Sequence, residues 1–203
     1  RQRLMRIIRY FIGVISLSLI LVTSPVLAAD FDKGVKAYDA GDYETALQEF
    51  TPLAEEENSL AQYNLGQMFR KGQGVLQDYQ QAAKWYRLAA EQGDAGAQTN
   101  LGVMYAKGGG VLQDYQEAMK WFRLAAEQGH AKAQNNLGIS YALGQGVLQD
   151  YQRAHMWANL ARSNGREETD EFFDYLTPKM TTSDITRAQQ MARECLDSGY
   201  KNC

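Results

Sequence analysis

The side chains through which this sequence could do chemistry are few. They are two histidines, two cysteines, and a set of asparagines, tryptophans and tyrosines that recur at a constant interval. His130 and His155 fall at unrelated places, one in a turn and one inside a helical pattern. No carboxylate recurs beside them at metal-ligand spacing, so no metal and no cofactor are expected. No Gly-x-Ser-x-Gly, Ser-x-x-Lys or phosphate-binding loop occurs, and no nucleophile–base pair can be named. The Gly-x-Gly-Val segments follow helical patterns instead of strands, which sets aside the dinucleotide fingerprint. Trp85, Trp121 and Trp157, with Tyr79, Tyr115 and Tyr151, could suggest sugar binding. Their fixed spacing from small alanines fits core packing better, since aromatics at helical spacing dominate packing energy.

What must position these residues is a repeat. Segments 61–96, 97–132 and 133–168 align at a period of 36, and the first two share 26 of 36 residues. Ala61-Gln62-Tyr63-Asn64-Leu65-Gly66 returns as Ala97-Gln98-Thr99-Asn100-Leu101-Gly102 and Ala133-Gln134-Asn135-Asn136-Leu137-Gly138. Gly74-Val75-Leu76-Gln77-Asp78-Tyr79 returns unchanged at 110–115 and 146–151. A period of this size signals a solenoid, because one unit cannot bury its apolar face without neighbours. The spacing predicts two antiparallel helices per unit, the first ended by Gly72-Gln73-Gly74 and the second capped by Asp78. Gln81, or Glu117 in the next repeat, is the expected capping-box partner. The second helix is expected to bury Ala82, Trp85 and Leu88–Ala89. Gly66 and Ala82 are expected to let the two helices approach closely. The expectation is an all-α fold, an α-solenoid of antiparallel helix pairs.

Before the repeats, residues 29–57 read as a shortened unit whose inter-helix loop, Ala40-Gly41-Asp42, lacks the Gly-x-Gly-Val insert. Residues 58–165 hold the three full repeats. Residues 166–203 read as capping helices, one with Phe172, Phe173 and Leu176 inward, and a last one capped by Thr182 or Ser183. Residues 1–28 read as a cleavable export signal: Arg6 and Arg9 precede an uncharged apolar run, Tyr10 to Val22, and small residues close at Ala28-Ala29. The expected location is periplasmic or secreted. Loss of that segment removes four arginines and leaves 17 basic against 24 acidic residues, a net charge of −7. That balance, without a basic run, disfavours nucleic acid and, once the signal is removed, anionic membrane surfaces. Export also makes a disulfide between Cys195 and Cys203 plausible chemistry, with Gly199 reversing the chain between them.

The pattern Ala-x-x-x-Leu-Gly, Gly-x-Gly-Val-x-x-Asp-x, Ala-x-x-Trp, Ala-Ala and Gly resembles the Sel-one-like repeat family over about residues 31–165. The resemblance implies a right-handed superhelix that acts as a non-enzymatic scaffold or adaptor, with a protein or peptide partner on its concave wall. Two alternatives stay open. One is a β-lactam or peptidoglycan hydrolase, as claimed for relatives with a cysteine pair in each repeat, which this chain lacks. The other is an array that assembles with itself. The related tetratricopeptide proteins carry a similar asparagine on the concave wall, which makes Asn64, Asn100 and Asn136 a candidate ladder for an extended peptide backbone. The same asparagines could instead only stabilise the stack. Helical spacing puts Tyr63, Gln67, Arg70, Thr99, Val103, Asn135 and Ile139 on or near that wall, and these vary between repeats.

Overall fold

The computed structural model describes residues 29–166, 170–201 and 203, so the expected signal segment lies outside the described residues. It is an α-solenoid. Helices α1 (Phe31–Asp39) and α2 (Tyr43–Glu55) form a short first pair. Three like pairs follow: α3 (Ser59–Lys71) with α4 (Tyr79–Glu91), α5 (Ala95–Lys107) with α6 (Tyr115–Ala126), and α7 (Ala131–Leu143) with α8 (Tyr151–Ser163). Helix α9 (Asp170–Leu176), one 3-10 turn (Thr177–Lys179) and α10 (Thr182–Asp197) complete it. No described helix is long and apolar enough to cross a membrane.

Each repeat closes its helix ends with the same side chains. Asp78, Asp114 and Asp150 sit in extended backbone and accept from the first free N–H groups of α4, α6 and α8. Gly72, Gly108 and Gly144 end the first helices at φ of 69°, 73° and 67°, a left-handed conformation that costs other residues energy. Gln77, Gln113 and Gln149 then reach back, their amides donating to the carbonyls of Arg70, Ala106 and Ala142 at 2.8–2.9 Å. Those carbonyls belong to the last turn, where no intrahelical N–H remains. The capping box expected of Glu117 is not formed: that carboxylate pairs with Lys120 instead. The box occurs at Thr181 and Asp184, so the cap of α10 is one residue ahead of the expected Thr182 or Ser183.

The pairs lock through one contact repeated four times. A Cβ placed on Gly34, Gly66, Gly102 or Gly138 would lie 2.6–3.0 Å from the ring of Phe50, Tyr86, Phe122 or Phe172 respectively. Glycine therefore makes room for an aromatic ring. The expected close approach of the second helix is seen beside it, since a Cβ on Gly102 or Gly138 would also lie 3.2 or 3.1 Å from the carbonyl of Ala118 or Ala154, the equivalents of Ala82. The first three rings come from the second helix of the same pair. In the last repeat that position is Ala158, and Phe172 of α9 supplies the ring instead.

The outer row of the second helices is more open than its apolar spacing predicts. Leu88 and Leu124, expected inside, are 36% and 46% exposed. Trp85 and Trp121 are half-buried. Leu160 and Trp157 are buried because α10 packs along α8 and covers that row. The sequence marks the change: Lys84 and Lys120 are exposed, whereas their equivalent, Met156, is buried.

Candidate functional site

The wall built by α3, α5 and α7 carries the expected binding residues. Asn64, Asn100 and Asn136 are half-buried and recur at one register. The Asn64 amide donates to the Leu60 carbonyl one turn back at 2.9 Å, so one of its two N–H groups serves its own helix. Tyr63, Gln67 and Arg70 are joined by hydrogen bonds. Gln67 donates to the Tyr63 oxygen at 2.9 Å, and its own oxygen accepts from Arg70 Nη2 at 2.9 Å. Tyr86 of α4 enters from behind. Its hydroxyl donates to Gln67 at 3.0 Å and accepts from Arg70 Nε at 3.2 Å, and its ring tilts against Tyr63 at 6.0 Å. Burial pushes the Tyr86 phenol well above its ordinary value, the Arg70 charge opposing, so it stays protonated.

Further along, Val103 and Ile139 are half-buried apolar positions of the wall. Thr99 is not offered to a partner as expected. It is 4% exposed; its hydroxyl donates to the Ala95 carbonyl at 2.7 Å and lies 2.8 Å from His130 Nδ1. With the hydroxyl proton engaged on Ala95, the ring must donate from Nδ1. Burial, and secondarily Lys132, lowers the His130 pKa. His155 is lowered by burial and by Arg162, and its ring meets Phe173 edge-on at 4.9 Å. Asn135 is 6% exposed, yet with Ile139 it lines an open hollow of about 800 Å³ together with Arg166, Asp170, Glu171, Phe172 and Tyr175. Cys195 and Cys203 face each other with Cα atoms 5.0 Å apart, and Tyr200 between them bonds Asn164. Among the described residues no three His, Cys, Asp or Glu side chains gather as metal ligands.

Sequence reasoning missed a polar ladder. Gln62, Gln98 and Gln134 are at most 4% exposed. Each donates to the end of the preceding pair, at Ala54, Ala90 or Ala126, at 3.0–3.1 Å. Each also accepts from Gln92, Gln128 or Asn164 at 2.8–2.9 Å. These glutamines tie consecutive pairs together. Their signal was on view as the unvarying Gln after Ala61, Ala97 and Ala133.

Three consecutive Sel1 repeats match this chain, at 59–94, 95–130 and 131–165. The chain belongs to the Sel1 repeat family, whose members are generally non-catalytic scaffolds for protein–protein interaction. Among solved structures, a Sel1 repeat protein from Oxalobacter formigenes is 39% identical, with a TM-score of 0.64 over 68% of this chain and 55% of that one. The protein c5321, a protective antigen present in uropathogenic Escherichia coli strains and displaying an SLR fold, is 26% identical, with a TM-score of 0.58 over 82% of this chain and 47% of that one. The chain thus spans about half the length of each of these two. No curated protein matches it.

Proposed function

We propose that this chain is an exported adaptor of the cell envelope that holds a segment of a partner protein on the concave wall of α3, α5 and α7. One observation carries the reading: a constant frame presents changing side chains. Ala, Gln, Asn, Leu and Gly repeat without change at 61/97/133, 62/98/134, 64/100/136, 65/101/137 and 66/102/138. Between them, half-buried Gln67 becomes Val103 and then Ile139, whereas Tyr63 and Arg70 give way to the buried Thr99 and half-buried Ala106, then to the buried Asn135 and Ala142. Packing explains the constant positions; recognition of a non-repeating ligand explains the variable ones. Export is supported by the charged and apolar segment of residues 1–28, and by a cysteine pair suited to an oxidising compartment.

The test places a photo-crosslinking residue at Val103 or Ile139 on the wall, and at Lys84 on the outer face, in the producing cells. A protein adduct from the wall positions and none from Lys84 is expected. Equal labelling from all three would remove the wall as the binding surface. The same material, recovered from the envelope fraction, should begin at Ala29 and resist alkylation at both cysteines until reduced. A retained signal segment in the cytoplasmic fraction would refute export.

A further inference from the structure

We infer that Tyr63, Gln67, Arg70 and Tyr86 form a binding site for a carboxylate on an extended peptide; this rests on the wall being the binding surface. Gln67 is the hub, as its hydrogen bonds show. Every oxygen of the cluster already accepts a hydrogen bond, whereas donors are left over. The Tyr63 phenol proton and Arg70 Nη1 meet no acceptor among the described residues, and no carboxylate there lies within ion-pair distance of Arg70. A fixed guanidinium edge beside a free phenol proton suits a carboxylate, which accepts and never donates.

The fold does not need this cluster. The second repeat stacks with Thr99, Val103, Ala106 and Phe122 at the same four positions, and the third with Asn135, Ile139, Ala142 and Ala158. Neither set carries a charge. Within the three helices themselves the charge points the same way, the carboxylate of Asp94 ahead of α5 being engaged on the Ala97 N–H. Helices α3, α5 and α7 hold Arg70, Lys71, Lys107 and Lys132 and no Asp or Glu, in a chain with 24 acidic residues. Such local reversal of sign selects and steers an anionic partner.

From Arg70 the wall runs past apolar Val103 and Ile139 into the 800 Å³ hollow beside Phe172 and Tyr175. Packed helices stand about 8–10 Å apart, and successive first helices are at least that far from one another, so α3 to α7 is roughly 20 Å or more, about six extended residues at the least. The ligand is therefore a peptide with a carboxylate at the α3 end and an apolar side chain about six or more residues away. At the far end the lining holds Arg166 with Asp170 and Glu171, and Asp170 also stands 3.9 Å from Arg162 Nη1. The carboxylate can be an Asp or Glu side chain or a chain terminus.

The full chain is panned against random peptides of about twelve residues, long enough to span the wall, displayed with free C-termini. A selected peptide, fluorescein-labelled, then serves as the probe in anisotropy titrations. Enrichment of Asp, Glu or a required free C-terminus is expected, and amidating that one group should weaken binding about tenfold or more. Arg70→Gln should cost the acidic probe a similar factor and the amidated probe almost nothing. Tyr63→Phe, which deletes one hydroxyl and leaves the ring against Tyr86, should show a smaller loss of the same selectivity. Arg70→Gln weakening both probes alike would mean that Arg70 only supports the fold, and would overturn the site. Selected peptides without an acid that lose binding on Val103→Glu would overturn the carboxylate site and leave the wall as a binding surface. If no selected peptide responds to Val103→Glu, the wall reading falls as well.

Discussion

Three adjacent glycines, Gly108, Gly109 and Gly110, allow the loop that defines this repeat to be dissected one alanine at a time. Gly109 has ordinary backbone and open space where a Cβ would stand. Gly109→Ala should be neutral or stabilise by about 0.4–1 kcal/mol, because it restricts the unfolded chain. Gly108 has φ of +73° but only an ordinary contact, 3.4 Å, with the Gln113 Cβ. Its alanine variant should lose about 1–2 kcal/mol for the left-handed backbone alone. Gly110 combines φ of +75° with a Cβ position 2.2 Å from the Tyr79 carbonyl oxygen and 2.8 Å from the Gln80 nitrogen. Both neighbours are backbone, so the loop of one repeat must move by about 1 Å from the helix start of the preceding one. That adds overpacking of about 1–3 kcal/mol and disturbs the Asp78 cap on Gln80, held at 2.8 Å. The total for Gly110→Ala is about 2–5 kcal/mol. Urea unfolding followed by far-ultraviolet circular dichroism measures all three. Because a solenoid can lose cooperativity between neighbours, a lower m-value for Gly110→Ala alone is also expected. If Gly110→Ala costs no more than Gly108→Ala, the loop does not dock on the preceding repeat and the steric reasoning is wrong.

Other substitutions probe the remaining joints. Gln98→Met keeps the volume and removes bonds to Ala90 and from Gln128; about 1–3 kcal/mol should be lost, against under 1 kcal/mol for exposed Gln128→Ala. A loss confined to the second of these would refute the ladder. Phe172→Ala should cost about 2 kcal/mol, as the ring is half-buried, and adding Ala158→Phe should restore most of it by supplying the ring from α8, as Phe122 does from α6. No rescue would mean that Phe172 and Ala158 do not share one slot. For His130 and His155 the folded pKa lies below the ordinary 6.5. As pH falls through about 6.5 the unfolded chain takes up protons that the folded chain refuses, so the stability full above that pH declines and then levels off. The urea midpoint should drop between about pH 7.5 and 5.5, and His130→Asn should flatten part of that slope. A slope equal in the variant would exclude His130 as a source. Asp42 and Asp184, whose hydrogen bonds lower their pKa, act in a separate window, where stability is lost as the pH falls below about 4.

Much of this fold was legible because the repeat shows each position three times. Asp78, Asp114 and Asp150 are recognisable caps, and glycines at fixed places mark the left-handed helix ends. Period alone could not say which partner a face meets. Helical spacing put Gly66 on the side facing the second helix, but whether Ala82 or Tyr86 filled the space depends on three-dimensional packing. Leu88 and Leu160 are equivalent in sequence yet one is exposed and the other buried, since only α8 has α10 beside it. At the wall, the sequence identified the variable positions but not their use. The hydroxyl of Thr99 turned inward to His130, and the Asn64 amide turned to its own helix. The polar ladder escaped notice because a glutamine reads as surface unless its invariance between repeats is weighed against that default.

The central claim is that the wall of α3, α5 and α7 holds a partner chain. The most direct measurement is crosslinking inside the producing cells from a photoreactive residue at Val103, compared with one at Lys84. An adduct of defined mass from Val103, lost when Ile139→Glu is added and never formed from Lys84, is the predicted result. An adduct from Lys84 with none from Val103 would put the partner on the outer face and contradict the account.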